Sequence, residues 1–252
     1  MTYQFIEYQT HGAVALIAYN RPDKRNAWNV PIIRETIEAF KRANADEAVR
    51  AIVLTGNGPA YCAGADIKAP PEPPDENGRR PHPATLTMGQ GDHNWLQLLS
   101  TSKPNIIAVN GPAIGIGLTH ILASDIRIAA ESATFSFPFL RLGAMPECGC
   151  TGLLPRLVGY GRALNLCLQS AKIDAREAER IGLVTGIYPD ADLRREAIAL
   201  ATQIAGYPPL QVKITRRMFQ ENAEEDSLDA ILRRENTGFV EMMRTLKKEK
   251  PL

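Results

Sequence analysis

No stretch of this chain comes near the roughly 20 apolar residues that a membrane-spanning helix needs. An excess of either charge is missing too. The 29 Lys and Arg stand against 28 Asp and Glu, for a net charge of +1, so no global field favours nucleic acid or an anionic bilayer. Cysteine is scarce: Cys62, Cys148, Cys150 and Cys167 contain one close pair and no second. That argues against zinc and for buried, reduced thiols of a cytoplasmic protein. The first residues, Met1 to Glu7, hold no basic segment followed by an apolar one, so no secretory signal is expected. Two nucleotide fingerprints are absent as well. Gly111, Gly115 and Gly117 do not spell the dinucleotide motif, and no Lys-Ser/Thr pair follows them as a phosphate-binding loop requires.

What is present is a hydrophobic content of 44%, enough for a sizeable core. The chain is organised around the stretch from Lys103 to Glu147. Asn105–Val109 reads as a buried strand, the glycines from Gly111 to Gly117 as a tight turn, and Leu118–Ala123 as a helix. Such a junction points free backbone N–H groups at one place, suited to a phosphate or a developing oxyanion. The same glycines also fit a junction that only needs room. Thirty residues past Gly117, Glu147 supplies a carboxylate in a turn.

Taken in order, residues 3–8 and 13–19 predict a hairpin around His11-Gly12. Asn29 is placed to cap a helix with Pro31 in its first turn and Ile32, Ile33, Ile37 and Phe40 on its apolar face. Ala51–Thr55 predicts a strand. Residues 69–91, with prolines crowded between Pro70 and Pro83 and broken by charges, predict a long loop, a candidate lid whose residues 70–83 are expected to be mobile without ligand. A helix resumes at His93–Leu99, and 125–129 and 134–137 predict strands. From Thr151 the character is mainly helical, over Leu153–Val158, 161–169, 175–181, 193–205, 210–222 and 226–246, with one strand at Leu183–Tyr188. This is an α/β layout with ββα units and a helical C-terminal part. The expected division is a core over 1–190 and a helical region over 191–252.

The motifs Asn20-Arg21-Pro22…Arg25-Asn26-Ala27, Cys62-Ala63-Gly64-Ala65-Asp66-Ile67, Lys103-Pro104…Asn110-Gly111-Pro112-Ala113…Gly115 and Gly182-Leu183-Val184 resemble the enoyl-CoA hydratase/isomerase (crotonase) superfamily in order and spacing. The resemblance implies the ClpP/crotonase fold, a spiral of repeated ββα units, and C-terminal helices that assemble trimers or hexamers. It implies an acyl-CoA thioester substrate, with coenzyme A part of that substrate and no separately bound cofactor. The thioester oxygen would receive backbone N–H bonds from Ala65 and Ile116. Lys24, Arg25, Ala27, Ala63, Asp66, Ile67, Gly115, Thr119, Phe139 and Leu142 fall at CoA- or acyl-contacting positions. Each has a plainer reading. Lys24 and Arg25 also fit solvated loop charges, Asp66 a brace for its turn, and the basic tail from Lys247 a solvated charge run.

In hydratases of the family, two glutamates hold a water. The matching positions here are Thr119 and Phe139, neither of which is a base at neutral pH. Glu147 remains. Its surroundings, Phe135…Pro138-Phe139…Leu142-Gly143…Pro146-Glu147, resemble the peroxisomal-type 3-enoyl-CoA to 2-enoyl-CoA isomerases, in which one carboxylate moves a proton from C2 to C4. The alternatives are hydration, a C–C or thioester hydrolase in which His120 activates water, a non-catalytic acyl-CoA-binding paralogue, and, for Glu147 alone, a turn residue at a helix start.

Overall fold

The computed structural model describes residues 2–70, 73, 74, 78 and 94–249, with side chains to residue 246. Apart from residues 70, 73, 74 and 78, the expectation of a mobile loop over 70–83 lies outside the described residues, as do His82, His93 and the side chains of the basic tail.

The N-terminal hairpin forms as β1 (Ile6–His11) and β2 (Val14–Tyr19), antiparallel, with Gly12 left-handed at the turn. All six residues of β2 are buried. The next strands, β3 (Ala51–Gly56), β4 (Asn105–Val109) and β6 (Ile126–Ala130), continue the sheet in parallel. Their mostly apolar, buried residues fit a sheet covered on both faces. The final strand, β9 (Ile187–Tyr188), completes a six-stranded sheet of order β1-β2-β3-β4-β6-β9. A second sheet of three short strands joins β5 (Ala113–Ile114), β7 (Thr134–Ser136) and β8 (Lys172–Asp174). The helix α1 (Val30–Ala45) begins as its sequence dictates. The Asn29 side chain accepts the Ile32 N–H at 3.1 Å, and Ile32, Ile33, Ile37 and Phe40 are buried. The other helices of this unit are α2 (Trp95–Thr101), α3 (Ile116–Thr119), α4 (Cys150–Val158), α5 (Tyr160–Leu168) and α6 (Ala175–Arg180).

Two expectations need correction. The helix after the glycine turn is the single turn α3 rather than Leu118–Ala123. Beyond it the backbone tightens into bonds three residues apart, such as Leu122 N–H to Thr119 O at 3.2 Å, as the chain bends toward β6. Only Ile187–Tyr188 of the expected Leu183–Tyr188 strand is extended. Its first half is spent on Arg127, whose Nε donates to Leu183 O at 2.9 Å and whose backbone O accepts from Thr185 N–H at 2.8 Å. The residues of β5 and β8 were too few to show a period-two pattern and are additions.

The molecule forms two compact units, Met1–Thr202 and Gln203–Leu252. The boundary lies inside α7 (Leu193–Gly206), beyond the 190/191 division expected, because α7 buries Leu193, Ala197 and Ala201. The second unit pairs α8 (Pro209–Asn222) with α9 (Leu228–Glu249). Among the described residues no helix is long and apolar enough to cross a membrane, and no cluster of three His, Cys, Asp or Glu is arranged to hold a metal.

Candidate active site

Two backbone segments meet where the sequence placed the oxyanion donors. Residues 62–65 run alongside 112–116: Cys62 N–H donates to Pro112 O at 3.1 Å, and Ile114 N–H donates to Cys62 O at 3.0 Å. The approach is closer than any side chain allows. A Cβ on Gly117 would lie 2.4 Å from Cys62 O, and one on Gly64 would lie 2.9 Å from Ile114 O. Gly115 between them has φ +55 and ψ −123, a conformation open to glycine alone. The surrounding N–H groups are spent: Gly115 on Ser136 O at 3.0 Å and Asp66 on Trp28 O at 2.8 Å. The N–H groups of Ala65 and Ile116 are different. Among the described residues neither has an acceptor. Ala65 is exposed, and Ile116 is the first residue of α3, where a helix leaves its N–H unsatisfied. A one-turn helix carries little macrodipole, so these two donors, rather than a dipole, are what the junction offers.

The loop before α1 is fastened to the same place. Arg25 and Asn26 are both left-handed, φ 49 and 55. Asn26, fully buried, holds that shape by accepting the Arg21 N–H and donating to the carbonyls of Asn57 and Ala60. Ala63 N–H donates to Arg25 O at 3.0 Å, which puts Ala27 and Ala63 on adjoining segments. Asp66 pairs with Arg21 at 3.0 Å, and Arg21 also donates to Ala27 O at 2.7 Å. Asp66 thus braces the turn. Lys24 and Arg25 stand exposed with no ion-pair partner among the described residues. Ile67 and Leu142 also lie open, at 91% and 72% exposure.

Beneath the donors sits an aromatic cluster around His120, which is fully buried. Its Nδ1 lies 2.7 Å from Ile116 O, and because a carbonyl only accepts, Nδ1 carries the proton. Nε2 is then the acceptor for the hydroxyls of Tyr19 at 3.0 Å and Tyr61 at 3.2 Å. Trp28 packs on the ring with centroids 4.0 Å apart, and Trp95 Nε1 donates to His120 O at 2.8 Å. Burial pushes the imidazole pKa down to about 3, so the ring is neutral. It also pushes both tyrosine hydroxyls well above their usual range and the neighbouring Cys62 thiol up to about 12. His120 is packed and bonded at both nitrogens, without access to water, which leaves the hydrolase reading without its activating group. Tyr19, Trp28 and Tyr61 were not singled out from sequence. Their spacing along the chain carries no period that would join them.

Glu147 stands on another wall. It is half-buried and lines a cleft of about 1000 Å³ with Leu96, Ser100, Ala123, Met145 and Leu153. Ala65 and Ile116 are not among the residues lining that cleft, though Ala123 belongs to the segment that leaves α3. The next two residues, Cys148 and Gly149, are both left-handed, with φ 54 and 70. For cysteine that is a strained conformation, of the kind that concentrates at functional sites. Phe139 is buried, 5% exposed, at the head of a 3-10 turn over Leu140–Leu142. Thr119 is fully buried, and its hydroxyl has no partner among the described residues.

Comparison with known proteins matches this chain over residues 9–252 to the enoyl-CoA hydratase/isomerase family. A probable enoyl-CoA hydratase, echA12, of Mycobacterium bovis is 37% identical over 91% of this chain and 82% of its own. The 1,2-epoxyphenylacetyl-CoA isomerase of Escherichia coli is 34% identical over 91% of this chain and 86% of its own. A solved enoyl-CoA hydratase subunit I from Geobacillus kaustophilus superposes with a TM-score of 0.85 at 32% identity, over 98% of this chain and 93% of that one. With its α/β crotonase fold and helical C-terminal region, the chain belongs to the enoyl-CoA hydratase/isomerase family of acyl-CoA enzymes.

Proposed function

We propose that this protein is an enoyl-CoA isomerase, moving a double bond through a thioester enolate. The observation that carries the choice of isomerase is the pair of positions at which the resemblance to hydratases calls for glutamates. One holds the fully buried Thr119 and the other the buried Phe139, so the two-carboxylate grip on a water has no residues to make it. In this reading the acyl-CoA oxygen accepts from the N–H groups of Ala65 and Ile116. These are free to bind an enolate where its charge develops. Glu147 takes a proton at C2 and returns it at C4. Lys24 and Arg25, exposed and unpaired among the described residues, face the CoA phosphates. Ala27, Ala63, Asp66 and Ile67 shape the adenine and phosphate side, and Gly115, Thr119, Phe139 and Leu142 the acyl side. Coenzyme A enters and leaves with the substrate, and a cytoplasmic location belongs to the same reading.

The test is a screen of 3-enoyl-, 2-enoyl- and 1,3-dicarbonyl-CoA thioesters. It follows the absorbance of the conjugated thioester and the product masses. Conversion of 3-enoyl to 2-enoyl thioester at constant mass is the expected result. Products heavier by one water, with no isomer formed, would replace isomerisation by hydration.

The reading includes a trimer or a dimer of trimers. In the second unit Phe219, Leu228, Leu232 and Phe239 are 79%, 67%, 53% and 57% exposed, apolar side chains that an assembly would cover. Of the apolar residues Leu153, Leu154, Leu157, Val158, Leu164 and Leu166 that follow Thr151, Leu154, Val158 and Leu166 are buried within the chain, Leu153 and Leu157 are half-buried, and Leu164 is 44% exposed. Light scattering at micromolar concentration is expected to give three or six times the chain mass. A monomeric mass would sink the assembly.

A further inference from the structure

The His120 cluster bears on the oxyanion site through contacts that involve both donor segments. A helix of one turn is marginal by itself, because nucleation fixes several dihedrals for very few hydrogen bonds. Yet α3 must hold the Ile116 N–H in one direction. The Ile116 carbonyl accepts twice from His120, from its backbone N–H at 3.1 Å and from Nδ1 at 2.7 Å. The same ring reaches the other donor segment, since Tyr61, which donates to Nε2, starts the run Tyr61-Cys62-Ala63-Gly64-Ala65. Trp28, packed on the ring, brackets Ala65 by its backbone. Its N–H donates to Gly64 O, and its O accepts from Asp66 N–H, both at 2.8 Å. Tyr19 adds a fixed hydroxyl from the end of β2, and Trp95 holds the His120 carbonyl from α2.

We propose that His120 is a positioning residue for the oxyanion site, a doubly bonded imidazole that ties the turn bearing Ile116 to the segment bearing Ala65. It touches no substrate. This proposal rests on the thioester-enolate reading above. The side chain acts through geometry, since small displacements of an aligned donor cost large factors in rate.

The separating experiment uses butyryl-CoA labelled with ¹³C at the thioester carbonyl, which binds without a double bond to move. The carbonyl stretch of the bound ligand is read in difference infrared spectra beside turnover of a 3-enoyl thioester. His120→Leu removes the ring's hydrogen bonds to Ile116 O, Tyr19 and Tyr61 and keeps apolar volume. His120→Asn keeps a donor near the position of Nδ1. In the unaltered protein the stretch is expected to fall on binding. In His120→Leu at least half of that fall should be lost and turnover should drop about 10- to 100-fold, with KM within about threefold. In His120→Asn, which keeps the bond to Ile116 O but not the one to Tyr61, part of both should return. A folded, ligand-saturated His120→Leu with the full shift and full turnover would overturn the proposal. Should His120→Leu fail to fold, the Asn variant, which has no acceptor for Tyr61 in the place of Nε2, decides: a shift reduced from that of the unaltered protein supports the tie, and a full shift in folded protein overturns it. If the unaltered protein binds butyryl-CoA with no shift, the oxyanion reading itself fails, and the positioning role falls with it.

Discussion

Glu147→Gln is expected to lower isomerisation of a 3-enoyl thioester by about 10² to 10⁴, the usual contribution of a positioned acid–base group. The substitution keeps the size and most hydrogen bonding of the side chain and removes its capacity to take a proton. The loss should therefore appear in kcat, with acyl-CoA binding preserved. Glu147 is suited to this by its place. It is half-buried at a cleft large enough for an acyl chain, between Pro146 and a left-handed Cys148–Gly149 pair that fixes the turn. The strain at Cys148 costs energy that the turn holds against the packing of a side chain only 4% exposed. Thr119→Ala serves as the control. Its hydroxyl has no partner among the described residues and moves no proton, so its effect should be far smaller. Turnover of Glu147→Gln near that of wild type on every accepted thioester would end the single-carboxylate mechanism.

The elements that carry the fold were legible where local pattern and burial coincide. Asn29 and Pro31 announce α1 because capping is a contact within four residues. The runs 51–55 and 105–109 announce β3 and β4 because strands covered on both faces are apolar over most of their length. The close meeting of the two backbone segments was legible through its glycines, which the structure requires at 64, 115 and 117 for close approach or for φ. The rest was decided by tertiary partners. The Leu183 segment leaves the extended state to serve a buried arginine. The helix after Gly117 stops at one turn because the chain must enter β6. The histidine at 120 was legible as a packed residue, but its partners were not. Tyr19, Trp28, Tyr61 and Trp95 come from β2, two loops and α2, and only the assembled sheet brings them to one ring.

Stability should fall with acidification more steeply in this protein than in His120→Asn. Burial lowers the His120 pKa from 6.5 to about 3, so the folded protein refuses a proton that the unfolded chain accepts. Between those two values the unfolded state binds more protons, and stability therefore rises with pH across the window. The contribution is fully present above pH 6.5 and is lost as pH falls toward 3. A tenfold difference in proton affinity between the folded and unfolded chain is worth about 1.4 kcal/mol. Acidifying by about two pH units below the ordinary histidine pKa should thus cost the wild type about 2 to 3 kcal/mol that His120→Asn, which has nothing to titrate there, does not lose. Carboxylates titrate in both proteins and cancel in the difference. Urea unfolding of the two proteins at matched chain concentration, which an oligomer demands, gives that difference directly. Parallel decline of the two would mean that the ring accepts its proton in the folded state. Nε2 would then become a donor and lose its role as acceptor for Tyr19 and Tyr61, and the imidazole would no longer join Ile116 to the Ala65 segment in the way its hydrogen bonds describe.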